Sequence, residues 1–187
     1  MGGGYWSNPL EFIVSTLFGL YILAVMLRLL LASARADFYN PVSQFLVRVT
    51  NPLIIPLRRA IPPIGRMDTA TVVLLLALQA VAVILGFLIR GAALQWPAII
   101  MISVAELASL VFNIYIFAIL IQAILSWVNP GTYNPVTSLL YSLTEPVLGP
   151  LRRLIPPISG IDLSPLFALI GLQVLKMLIL PLLFHPW

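Results

Sequence analysis

The sequence predicts an all-α membrane protein: four transmembrane helices in two parallel span–loop–span repeats, each with a short cytoplasmic interfacial helix and a proline-rich basic loop. Three observations carry this. Of 187 residues, 61% are hydrophobic and only 9% charged, with a mean hydropathy of +1.08, whereas soluble domains carry about a quarter charged residues. Four stretches reach the roughly 20 apolar residues that a helix needs to cross a bilayer. The chain also aligns with itself at an offset of 94 residues, 21–79 onto 115–173 without a gap, with 23 of 59 positions identical.

The spans fall at about 10–32, 69–89, 105–128 and 163–184, the third preceded by a short interfacial lead-in from 97. Each is long enough for a helix and apolar all round or helix-periodic, which favours helices over barrel strands. The repeats occupy 10–90 and 97–184. An even number of spans returns the chain to its starting side, so both repeats point the same way, related by a pseudo-two-fold along the membrane normal. The N-terminal MGGGYWSNPLEF lacks a basic region and a small-residue cleavage site, so the first span is expected to remain. Trp6 stands where myristoylation requires Ser or Thr.

Charge sets the expected orientation. Loops one and three and their flanks carry Arg28, Arg35, Arg48, Arg58, Arg59, Arg66, Arg152 and Arg153, against Arg90 on the other side. The positive-inside rule then places the basic loops in the cytoplasm and both termini outside. The net charge of +4 points to anionic phospholipids as partners rather than nucleic acid.

Each loop opens on a helix-start signal. Asn40-Pro41 and Asn134-Pro135 combine a capping side chain with a proline at the first helical position. The stripes Val42/Phe45/Leu46/Val49 and Val136/Leu139/Leu140/Leu143 then predict a one-sided helix of about ten residues, too short to span. Pro52, Pro56 and the pair Pro62-Pro63 follow, with Pro156-Pro157 in the second copy. Because proline removes donors and breaks helices, this stretch is expected to be irregular, either hugging the headgroups or re-entrant. Arg58, Arg59, Arg152 and Arg153 would lie at the phosphates or hold an anion or a partner. Asp68 and Asp162, just before spans two and four, suit helix capping or a local arginine.

Polar residues inside a bilayer are expensive. Lys176 lies two-thirds along span four, with Glu106 and Asn113 on span three as candidate partners; Gln79 and Gln173 match across the repeat and suit interhelical hydrogen bonds. Ala82/Gly86 and Ala105/Ser109 have the spacing of close-packed helices. The chain has no Cys and one His, His185. No metal site, cofactor ligation or cysteine nucleophile is expected from it, and no His, Cys or carboxylate cluster has the spacing of catalytic machinery.

The repeated block Asn-Pro-Val…Pro-Leu-Arg-Arg-x-Ile-Pro-Pro-Ile…Asp resembles the signature of the YggT (YlmG) family of small bacterial and plastid membrane proteins. The second copy departs from the first in having Glu145 for Asn51, Gly160 for Arg66, and Asn129-Pro130-Gly131 for Arg35-Ala36-Asp37. For the bacterial branch the resemblance implies an inner-membrane location, with both termini then periplasmic, and a role in osmotic-stress tolerance or growth at low potassium, or a place near division genes. For the plastid branch it implies cytochrome cofactor attachment or nucleoid organisation. The leading expectation is a non-enzymatic protein that works through its membrane surface and its assembly with a membrane-protein partner or further copies of itself. The competing one is a small oligomeric channel or transporter for ions or osmolytes.

Overall fold

The computed structural model describes residues 7–65, 67–128, 134–155 and 162–184. They form α1 (Ser7–Ser33), α2 (Pro41–Ala60), α3 (Thr69–Ile89), α4 (Trp96–Val128), α5 (Pro135–Leu154) and α6 (Ser164–Phe184). Four of these, α1, α3, α4 and α6, are long and apolar enough to cross a membrane. The protein is therefore a multi-pass membrane protein. Helices α2 and α5 connect spans at one end of the bundle, here termed the basic end.

Two boundaries differ from expectation. The lead-in to the third span is no separate segment, because α4 runs unbroken for 33 residues, about 50 Å at 1.5 Å per residue. More informatively, α2 and α5 are each 20 residues long and continue through Pro52 and Pro56, and through Pro146 and Pro150. The prolines stand four apart, so their missing N–H groups free only the carbonyls of Arg48 and Pro52, or of Ser142 and Pro146. In both helices the prolines lie on an exposed face, where water or headgroups can reach those carbonyls. The opposite face, Ser43, Leu46, Thr50 and Ile54 in α2 and Leu139, Leu143, Thr144 and Leu148 in α5, is buried.

Local chemistry fixes the element ends. The Val42 N–H donates to Asn40 Oδ1 at 2.9 Å and the Val136 N–H to Asn134 Oδ1 at 2.7 Å, capping α2 and α5. Helix α1 closes with paired bonds, Ala36 N–H to the Leu31 carbonyl and Arg35 N–H to the Ala32 carbonyl. This puts Arg35 at φ 53°, in the left-handed region that usually takes glycine. Helix α3 ends the same way on Gly91, at φ 65°. Between α2 and α3 the chain reverses at Gly65, with Ile64 bridged to Met67.

Within the repeats α1 packs on α3 and α4 on α6, while α3 packs on α4 to join them. A strict two-fold would pair α6 with α1 in the same manner. Among the described residues α1 and α6 do not touch. The repeats therefore share orientation and internal packing but meet across a one-sided seam. The main core gathers Val25, Met26, Ile54, Leu75, Leu139 and Leu143, with a smaller cluster of Ile119, Leu148 and Ala168.

Candidate functional site

At the basic end the fold splits each arginine pair. Arg58 donates from Nη2 to Asp68 Oδ2 at 2.5 Å and from Nε to Oδ1 at 3.4 Å. Asp68 also caps α3, accepting from the Thr71 hydroxyl and, at 3.4 Å, from its N–H. In the second repeat Arg152 donates to Asp162 at 3.0 Å and to Glu145 at 2.8 Å. Asp162 accepts the Ser164 N–H at 2.9 Å. Arg59 and Arg153 are exposed and form no ion pair among the described residues. Thus one arginine of each pair ties the turn together and the other projects outward.

Electrostatics follow the same division. Partial burial works against the Asp68 carboxylate, but the Arg58 guanidinium and the Thr71 donors outweigh it and hold its pKa below the ordinary 3.8. Burial likewise opposes the Asp162 carboxylate, and bonds from Ser164 and Arg152 pull its pKa below the same value. Pro62 and Pro63 are exposed in the turn after α2, and the Pro62 carbonyl accepts the Thr69 hydroxyl at 2.6 Å. Pro156 and Pro157, with Arg66 and His185, lie outside the described residues.

The exposed side of the basic helices is apolar as well as cationic. Val42, Phe45, Leu53 and Ile55 of α2, and Val136, Tyr141 and Leu154 of α5, project outward. The helices start side by side, since Asn40 Nδ2 donates to the Pro135 carbonyl at 2.7 Å.

Two contacts beneath these helices escaped the sequence reading. Arg28 of α1 donates to Thr50 Oγ1 at 2.6 Å and to the Val47 carbonyl at 3.4 Å, and the Thr50 hydroxyl donates to the Leu46 carbonyl at 2.6 Å. In the second repeat the corresponding Thr144 hydroxyl donates to Gln122 Oε1. Thr50 and Thr144 are both fully buried. Their recurrence at the 94-residue offset, next to the apolar stripe of each helix, was the available signal.

Towards the opposite end, α1, α3 and α4 line an open cavity of about 630 Å³. Arg90 and Glu11, joined by two hydrogen bonds, stand at its outer limit. Gln79 lies eleven residues further in than Arg90 along α3, about 16 Å, and its amide donates to Glu106 on α4. Asn113 lines the same cavity and accepts the Lys176 ammonium at 2.6 Å. So Gln79, Glu106 and Asn113 converge on one space with Lys176 directly behind it, while Gln173 is exposed on α6. Ala82, Gly86 and Ser109 line the cavity, and a Cβ on Gly86 would meet nothing within 4 Å. Here these three small residues open space, whereas Ala105 is fully buried in the packing.

The family model for CCB3/YggT matches the chain twice, over residues 7–89 and 101–183. An uncharacterised protein of Pseudomonas aeruginosa is 44% identical over 174 residues, 90% of this chain and 87% of that protein. One from Vibrio alginolyticus is 44% identical over 168 residues, covering 89% and 90%. The uncharacterised YggT of Escherichia coli K12 is 38% identical over 171 residues, covering 91% and 88%. No solved structure matches the chain. Two tandem matches, each spanning two apolar helices and the amphipathic helix between them, place the chain in the CCB3/YggT family.

Proposed function

We propose that this is a non-enzymatic bacterial inner-membrane protein that supports osmotic-stress tolerance or envelope homeostasis by engaging anionic phospholipids and a membrane-protein partner or further copies of itself. The basic end faces the cytoplasm and both termini face the periplasm. The observation that carries this reading is the outward projection of Arg59 and Arg153 beside the apolar faces of α2 and α5. An amphipathic helix with cationic residues at its polar border binds an anionic leaflet through apolar burial plus about 1 kcal/mol per basic residue.

The test is the double variant Arg59→Ala/Arg153→Ala, which leaves the Arg58–Asp68 and Arg152–Asp162 ties in place. It should insert normally and keep its thermal stability in phosphatidylcholine nanodiscs to within about 0.5 kcal/mol. It should lose the extra stabilisation that phosphatidylglycerol gives the wild type. It should also fail to restore growth after osmotic upshift in cells lacking the protein. Full restoration of growth by this variant would sink the proposal.

A second reading, a small oligomeric channel or transporter for ions or osmolytes, is favoured by the cavity and its intramembrane Glu106 and Lys176. Four spans leave little room for a pore within one chain, so this reading requires assembly of several copies.

A further inference from the structure

We propose that the cavity between α1, α3 and α4 binds a small organic cation, with the Glu106 carboxylate as its counter-ion. This does not rest on the surface reading above, because it concerns the opposite end of the bundle and a different set of residues.

Charge gives the sign of the ligand. Two carboxylates line the cavity, Glu11 and Glu106. Glu11 is neutralised by the two bonds from Arg90. Glu106 receives only the neutral Gln79 amide, and no Lys or Arg pairs with it among the described residues. An intramembrane carboxylate without a cationic partner is expensive, and a bound cation relieves that cost. Lys176 sets the inner limit: its ammonium is held by Asn113 on the α6 side, so a second cation is repelled from the deep end and rests between Glu106 and the Arg90–Glu11 pair.

Size and lining give the class. About 630 Å³ lies within the range of small-molecule sites, roughly 300–1,000 Å³. A bare metal ion would leave most of it empty. Phe18 and Phe87 contribute aromatic walls beside Val83 and Leu110. Aromatic faces attract alkylated ammonium groups, while apolar walls give a strongly hydrated ion nothing in exchange for the water it would shed. One carboxylate in a mostly apolar, aromatic-walled space of this size suits an organic ammonium.

The absence of cysteine from the chain permits a clean test. A single cysteine is introduced as Ser109→Cys, and independently as Ala82→Cys, both in the cavity wall, in full-length protein in nanodiscs. Modification rates are measured with a trimethylammonium-ethyl and a sulfonatoethyl methanethiosulfonate, each normalised to its rate with a free small thiol. The cationic reagent should react at least about tenfold faster. Adding Glu106→Gln should remove the preference. Tetramethylammonium chloride should slow the cationic reagent at least about threefold more than potassium chloride at equal ionic strength. Equal rates, no modification by either reagent, or a preference that survives Glu106→Gln would overturn the site. Protection by potassium equal to that by tetramethylammonium would overturn the ligand class.

Discussion

The two repeats share a plan and differ in how much charge they bury. Under the basic helix of the first, Arg28 of α1 bonds Thr50; in the second, the neutral Gln122 stands at the corresponding place and bonds Thr144. At the turn the order reverses. Arg58 has one carboxylate, Asp68, whereas Arg152 has two, Asp162 and Glu145, the latter replacing Asn51. The first repeat thus commits its extra charge to the helix interface, and the second to the exposed turn. Duplication preserved the apolar frame and the caps, and it left the polar contacts free to specialise.

The largest separation between the repeats is expected at the buried threonines. Thr50→Val leaves the Arg28 guanidinium with only its 3.4 Å bond to the Val47 carbonyl among the described residues and should destabilise by about 1.5–3 kcal/mol, since a bond to a charged group is lost. Thr144→Val removes a neutral bond and should cost about 0.5–1.5 kcal/mol. Denaturant unfolding in a common detergent measures both, and equal losses would show that Arg28 is no more dependent on its partner than Gln122.

The capping aspartates should differ less. Asp68→Ala removes the α3 cap and the only carboxylate that pairs with Arg58 among the described residues, with an expected loss of about 1–2 kcal/mol. Asp162→Ala leaves Arg152 bonded to Glu145 and should lose about half as much. Both carboxyls titrate below the ordinary 3.8 in the folded protein. Their contribution is therefore complete above that value and disappears as pH falls through the lower folded one. The gap between wild type and Asp68→Ala should accordingly close in acid, and a gap that does not narrow as pH falls below the ordinary carboxylate range would contradict the assignment.

The smallest contrast concerns the glutamines. Gln79→Leu removes the partner of Glu106 and should cost about 0.6 kcal/mol, the average for interhelical bonds in membranes. Gln173→Leu, on the exposed face of α6, should stay within about 0.5 kcal/mol of wild type. Thermal unfolding of the pair in nanodiscs checks this, and equal effects would indicate that Gln173 has a partner in the bilayer.

These contrasts mark what a sequence can and cannot reveal. The spans, the Asn40 and Asn134 caps and the aspartates before α3 and α6 depend on neighbours within a few residues, and such local chemistry is legible. The continuity of α2 through Pro52 and Pro56 was not, because it depends on which face the prolines share and whether that face meets solvent. Nor could sequence distinguish Arg58 from Arg59, adjacent residues whose roles are decided by the turn at Gly65. The repeat itself misled at Gln173: symmetry of sequence predicted symmetry of contact, while the seam joins α3 to α4 and leaves α6 aside.

The Arg90–Glu11 pair also has a meaning in time. Its partners are 79 residues apart, which at about 5–20 residues per second is about 4–16 s of synthesis. Gln79 and Glu106, only 27 residues apart, are separated by about 1–5 s at the same rates. The first span therefore enters the membrane with an uncompensated acid and waits for the second to bring its arginine. The cavity acquires its outer clasp when α3 is complete, before α4 has delivered the carboxylate that gives the space its charge.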